Sequence, residues 1–385
     1  MRGAIADRRG AGWPSGLLGM LALVAAVEAT VLGLRDDLIG PLGEGWRIAA
    51  LDAQAKARGC DVLCFGDSLV KYGVLPKEIE ARTGLKAYNL ATSGGTTASA
   101  YFLLRRALDS GARPRAVVVD FAALLPITDA PQGLLNYPEL ATPRDCLELA
   151  EVVGNPGFFG AAMVAKALPS AQFRHEIRGA VRASLAGRST TERASVDSHR
   201  RIWARERGAQ PTVPGRAYHP REPELIEALS PEGWTCPPAD LAFIERFLGL
   251  AGSREIAVRW LLPPMAPGVR DRRLARGADQ AYGRFARSVA ARHPGVVVLD
   301  ARASGYDDSV HIDHLHLDER GALALSDDIA ATLTPSSPRS SALWVDLPLF
   351  AGRFGGEPDS TSSPPRSLAR SRTPADGRPS QGVNR

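Results

Sequence analysis

Cysteine is scarce in this chain, with 4 among 385 residues. Cys60 and Cys64 lie at strand spacing and Cys146 and Cys236 stand alone, so neither a disulfide-dense scaffold nor a zinc site is implied. Cys64 is expected to be buried and free, as a small hydrophobe, and the redox compartment stays open. Charge of one sign is lacking too: 47 Lys and Arg against 42 Asp and Glu leave only +5. The arginines are scattered rather than gathered in a basic stripe with interleaved aromatics, so no nucleic acid is implied as a partner. There is no internal repeat at solenoid or propeller periods. Hydrophobic residues nevertheless make up 44% of the chain, enough for one large core or two small ones.

Long apolar runs are confined to the N-terminus. Arg2, Arg8 and Arg9 precede a run from Gly10 to Val27 without charge, and apolar character continues to Leu34 with only Glu28 interrupting it. Residues 16–34 come close to the ~20 needed to cross a bilayer, and the positive flank predicts a cytoplasmic N-terminus with the rest of the chain outside. Residues 1–35 are therefore expected to be a membrane anchor or signal segment. Cleavage near Ala26 or Ala29 would make the protein secreted. A helix buried against the domain is the other reading, because an acidic residue inside a span is costly.

Beyond this segment, residues 52–58 read as a short helix, and apolar runs follow at 61–66, 86–90, 115–121, 256–262 and 296–300. Each run is apolar on both faces, as buried parallel strands are. Helix-length segments separate them: Tyr101, Leu104 and Leu108 share one face, as do Tyr282, Phe285 and Val289. The expected fold class is α/β, a three-layer open parallel sheet of about five strands within a domain spanning 52–333. Any site should lie at the carboxyl ends of the strands. Residues 131–238 break the rhythm, helical at 144–153 and arginine-rich from 188 to 220. They read as an inserted helical segment, either a lid or substrate wall or a structural decoration. Residues 335–385, rich in Ser, Pro, Arg and Gly, read as a disordered tail with one apolar patch at 343–350.

Gly66-Asp67-Ser68-Leu69 follows the first strand directly, placing Ser68 where a parallel strand turns into a helix. A serine hydroxyl is a weak nucleophile and needs a base, usually histidine oriented by a carboxylate. Asp313-His314-Leu315-His316 supplies both after the last strand and ahead of a helix expected at 319–333. A spacing of three on one loop lets Asp313 hold the His316 ring, leaving His316 to take the proton of Ser68. His175, His199, His219 and His293 are instead expected to be surface or hydrogen-bonded residues.

These residues resemble the blocks of the SGNH (GDSL-type) hydrolase family, a Gly-Asp-Ser-Leu after strand one and a final Asp-x-x-His. Asn89-Leu-Ala-Thr-Ser-Gly94 is similar to the family segment whose glycine amide helps form the oxyanion hole. The resemblance implies a flavodoxin-like fold and an oxyanion hole built from the amides of Ser68 and Gly94. It also implies a catalytic triad of Ser68, Asp313 and His316 that needs no cofactor or metal. One block departs: the family's Gly-x-Asn-Asp after strand three is replaced by residues 120–129, with the asparagine position falling near Leu124. Relatives that modify cell-envelope polysaccharides also depart from the four-block pattern, and several are membrane-tethered.

The expected function is a serine ester hydrolase that removes an O-acyl group, acetyl in the first instance, through an acyl-enzyme on Ser68. Its substrate would be an acylated small molecule or glycan, and its second partner the membrane. Two alternatives remain open: an O-acyltransferase on an envelope polysaccharide using the same triad, or an inactive glycan-binding protein of that fold. The cluster His311-x-Asp313-His314-x-His316 suggests a metal at first, but its order differs from the usual metallohydrolase motif and no second cluster offers the remaining ligands.

Overall fold

The computed structural model describes residues 15–121, 133–188, 190–214, 218, 223–333 and 343–350. Five short runs of branched and aromatic residues form the strands β1 (Val62–Phe65), β2 (Ala87–Asn89), β3 (Ala116–Val119), β4 (Ala257–Leu262) and β5 (Val296–Asp300). A sixth, β6 (Trp344–Asp346), lies in the stretch expected to be a disordered tail. The sheet is parallel throughout, in the order β2-β1-β3-β4-β5-β6, with Cys64 opposite both Asn89 and Val118.

The sixth strand corrects the expected count of five. Val345 and Leu347 are buried, Trp344 pairs with Val298, and Tyr306 stacks on Phe350 at 4.8 Å. The apolar patch thus finds on the sheet edge the burial it could not create alone. Residues 351–385 of the expected tail lie outside the described residues.

Successive strand residues point to opposite faces, and each face carries its own core. On one side Leu63, Phe65, Val117, Val119, Val258 and Trp260 pack under the helices Gly40–Ala55, Thr97–Asp109, Pro238–Gly252 and Ala278–Ala290. On the other side Val62, Cys64, Val118, Leu261 and Leu299 meet Val70, Ile79, Leu325 and Ile329. Cys64 is fully buried and all four cysteines are free, and burial pushes the Cys64 thiol well above its ordinary value.

The helix read at 52–58 is the end of the longer helix Gly40–Ala55. Within residues 131–238 the described part is mostly helical, and its arginine-rich stretch contains the helix Arg193–Arg205. That helix buries Val196, His199 and Trp203 and pairs Arg193 with Asp37 and Arg200 with Asp36 and Glu44. The arginines are therefore matched to acids more than a hundred residues earlier, a pairing that no local pattern displays.

The N-terminal helix Ser15–Gly33 is long and apolar enough to cross a membrane, and although Val31 is buried, most of its large apolar side chains, Leu18, Leu21, Leu23 and Leu32 among them, are exposed. The buried-helix reading therefore fails. Glu28 has a partner nonetheless: its carboxylate accepts the backbone N–H of Ser170 at 2.8 Å and the Ser170 hydroxyl.

Candidate active site

At the end of β1 the chain must turn sharply against β3. Gly66 has φ +136°, and a side chain there would place its Cβ 2.9 Å from the carbonyl oxygen of Asp120, so only glycine fits. Asp67 then caps the helix Ser68–Gly73, its carboxylate accepting the N–H of Leu69 at 2.7 Å. Ser68 is the first residue of that helix.

The loop after β5 arrives from the other end of the domain sequence. An antiparallel bridge between His311 and Leu317 closes it, with Ile312 N–H donating to the His316 carbonyl at 2.9 Å. Inside this bridge Asp313 Oδ1 accepts the N–H groups of Leu315 and His316, both at 2.8 Å, which fixes the carboxylate. Its Oδ2 lies 2.7 Å from His316 Nδ1, and His316 Nε2 lies 2.8 Å from Ser68 Oγ. Burial alone would raise the Asp313 carboxyl, but the hydrogen bond and charge of His316 and the two amides hold it down at about 2. Tyr72, one turn along the helix from Ser68, meets the His316 ring edge-on at 5.0 Å.

Ser68, Asp313 and His316 are thus brought together across 248 residues of sequence. His311 and His314 are turned elsewhere: His311 Nδ1 bonds the Asp307 carbonyl at 2.8 Å, and His314 bonds the Tyr218 hydroxyl. Among the described residues there is no group of three or more His, Cys, Asp or Glu side chains suited to a metal ion.

The turn that carries Gly94 abuts the same strand end. Thr92 N–H donates to the Gly66 carbonyl at 3.1 Å, and a Cβ on Gly95 would come within 2.4 Å of that oxygen. The Leu124 position, where the asparagine block would fall, lies outside the described residues.

Four residues besides Ser68, Asp313, His316 and Gly94 also shape this site. Trp46, fully buried on the helix Gly40–Ala55, donates its indole N–H to the Ser93 carbonyl at 2.9 Å and meets Tyr137 edge-on at 5.3 Å. The Tyr137 hydroxyl lies 2.6 Å from Thr96 Oγ1, the cap of the following helix. Trp46 and Tyr137 therefore clamp the 92–96 turn from both ends. Asp67 and Asp120 are both buried and interact, and burial pushes the Asp67 carboxyl up to about 6. No local pattern marks Trp46, whose partner carbonyl lies 47 residues away.

The end of the inserted segment runs along the site. Gln210 N–H donates to the Lys71 carbonyl at 3.0 Å, Glu319 N–H to Thr212 at 2.8 Å, and Tyr218 N–H to Asp308 at 3.2 Å. A cavity of about 660 Å³ lies near the end of β3, between Phe121, Trp234, Arg273 and Tyr282. None of Ser68, Gly94, Asp313 or His316 lines it, so it is separate from the reacting atoms. No known family model matches the chain, and no curated protein is significantly similar to it.

Proposed function

We propose that this protein is a serine ester hydrolase of the SGNH type, with a flavodoxin-like three-layer fold, that removes an O-acyl group, acetyl in the first instance, through an acyl-enzyme on Ser68. The observation that carries the reading is the continuous contact from Asp313 Oδ2 through His316 to Ser68 Oγ, at 2.7 and 2.8 Å. His316 takes the Ser68 proton as Oγ attacks the ester carbonyl. The amides of Ser68 and Gly94 are assigned to the developing oxyanion, each worth about 3–4 kcal/mol in such a hole. Collapse expels the alcohol, which receives its proton from His316, and leaves the acyl group on Ser68. Water, deprotonated by His316, then attacks the acyl carbonyl and releases the acid.

The positively flanked helix Ser15–Gly33 supports a membrane-anchored enzyme whose domain faces away from the cytoplasm, where acylated glycans are available substrates. Acyl transfer to a glycan hydroxyl is the second reading. The contacts of Gln210 with Lys71, of Thr212 with Glu319 and of Tyr218 with Asp308 favour it, because they bring the inserted segment beside the elements bearing Ser68 and His316, where it could hold an acceptor. The test is turnover of an aryl acetate by the full chain and by Ser68→Ala. Hydrolysis by the intact protein and none by the variant is expected; equal turnover by both removes Ser68 as the nucleophile.

A further inference from the structure

We infer that the helix Arg174–Leu185 lies on the outer surface of the membrane, with Val181 and Leu185 in the acyl boundary and Arg174, Arg178 and Arg182 on anionic phospholipid headgroups. This rests on the reading of Ser15–Gly33 as a membrane span.

Two large apolar side chains face solvent on this helix, Val181 at 53% and Leu185 at 84% exposure. Arg174, Arg178, Val181 and Leu185 recur at steps of four, three and four, so they form one exposed stripe, and Arg182 flanks it. The opposite side is the inward one: Ala183 is buried and Glu176 and Ala180 are partly covered. Arg178 and Arg182 make no ion pair among the described residues. Exposed apolar residues beside exposed arginines suit an interface in which the aliphatic stems and side chains are covered and the guanidinium groups reach phosphate.

The depth agrees. Ser170 lies in the short helix Pro169–Gln172 that leads into Arg174–Leu185, and it is bonded to Glu28 through both its amide and its hydroxyl. Glu28 lies five residues before Gly33, where the apolar helix ends, which at 1.5 Å per residue is about 7–8 Å inside that end. Interfacial helices bury their apolar face by about 5–10 Å. The Glu28–Ser170 contact therefore sets the start of the arginine helix at the depth where headgroups meet acyl chains. Val164 and Leu168, 51% and 37% exposed on the preceding segment, continue the apolar surface toward the span. The excess of arginine over acid on the stripe selects anionic lipid.

The experiment places the full chain in single-copy nanodiscs of phosphatidylcholine with or without phosphatidylglycerol. Leu185→Trp reports the stripe, and Leu274→Trp, 55% exposed on the helix Pro267–Ala275, serves as control. Expected is a blue-shifted Leu185→Trp emission quenched several-fold more strongly by brominated phospholipid than the control. Quenching should weaken without phosphatidylglycerol and on adding Arg174→Gln, Arg178→Gln and Arg182→Gln together. Emission like that of the control overturns the proposal. Quenching indifferent to phosphatidylglycerol overturns the headgroup assignment, and protection that depends on protein concentration but not on bromolipid points instead to a second copy of the chain. Failure to enter the disc defeats the span itself. None of these outcomes depends on ester turnover, so they stand or fall separately from the hydrolase reading.

Discussion

Replacing Asp313 by Asn tests whether His316 acts as a base oriented by a carboxylate. Asp313 accepts three hydrogen bonds, two from backbone amides on Oδ1 and one from His316 Nδ1 on Oδ2. In the variant the amide oxygen keeps the two backbone bonds, which places the NH₂ group against His316 Nδ1. That nitrogen must then accept, the ring proton moves to Nε2, and a donor rather than a lone pair faces Ser68 Oγ. The alternative flip preserves the tautomer but breaks both backbone bonds, at a cost of about 0.5–1.5 kcal/mol each. Loss of base function in this arrangement is worth about 4–5.5 kcal/mol, or a fall of about 10³–10⁴ in kcat. The assay is initial-rate hydrolysis of an aryl acetate at neutral pH, with a thermal unfolding curve to show that the variant is folded. A folded Asp313→Asn protein that retains activity within tenfold of the parent, by this reckoning less than about 1.4 kcal/mol of effect, would refute the role given to the carboxylate.

The remaining predictions concern the groups around the site. Trp46→Phe removes the indole bond to the Ser93 carbonyl while keeping an aromatic against Tyr137; kcat is expected to fall about fivefold, near 1 kcal/mol, with KM nearly unchanged, and an unchanged kcat dismisses the clamp. Asp67 is raised by burial from 3.8 to about 6. An acid raised on folding binds its proton more tightly in the folded state, so stability is greatest below the unfolded value and declines as pH rises through about 6. The full decline is about 3 kcal/mol. Asp67→Asn, which can still accept from Leu69, is expected to flatten this slope in urea unfolding between pH 4 and pH 7, and an unaltered slope rejects the assignment.

How much of this was legible in sequence follows from the range of each interaction. The strands β1 to β5 and the helices around Leu104 and Tyr282 were readable because parallel strands buried on both faces and amphipathic helices write their burial into local periodicity. The meeting of Ser68 with Asp313 and His316 had a different signal: Ser68 follows β1 by three residues, and the other two lie three apart on one loop after β5. β6 was missed because Trp344–Asp346 is only three residues in a polar tail, and its burial is supplied by β5. Trp46 was invisible because its partner carbonyl is 47 residues away and belongs to a residue type that carries no signal. The ion pairs of Arg193 and Arg200 were hidden for the same cause.

The most direct measurement of the central claim is covalent trapping of the nucleophile. The full chain is treated with a fluorophosphonate, which mimics the tetrahedral acyl-transfer intermediate, and digested for peptide mass spectrometry. One adduct is expected, on Ser68, absent in Ser68→Ala and strongly slowed in His316→Ala although Ser68 is still present. An adduct on another residue, or labelling of Ser68 at the same rate without His316, would contradict the account.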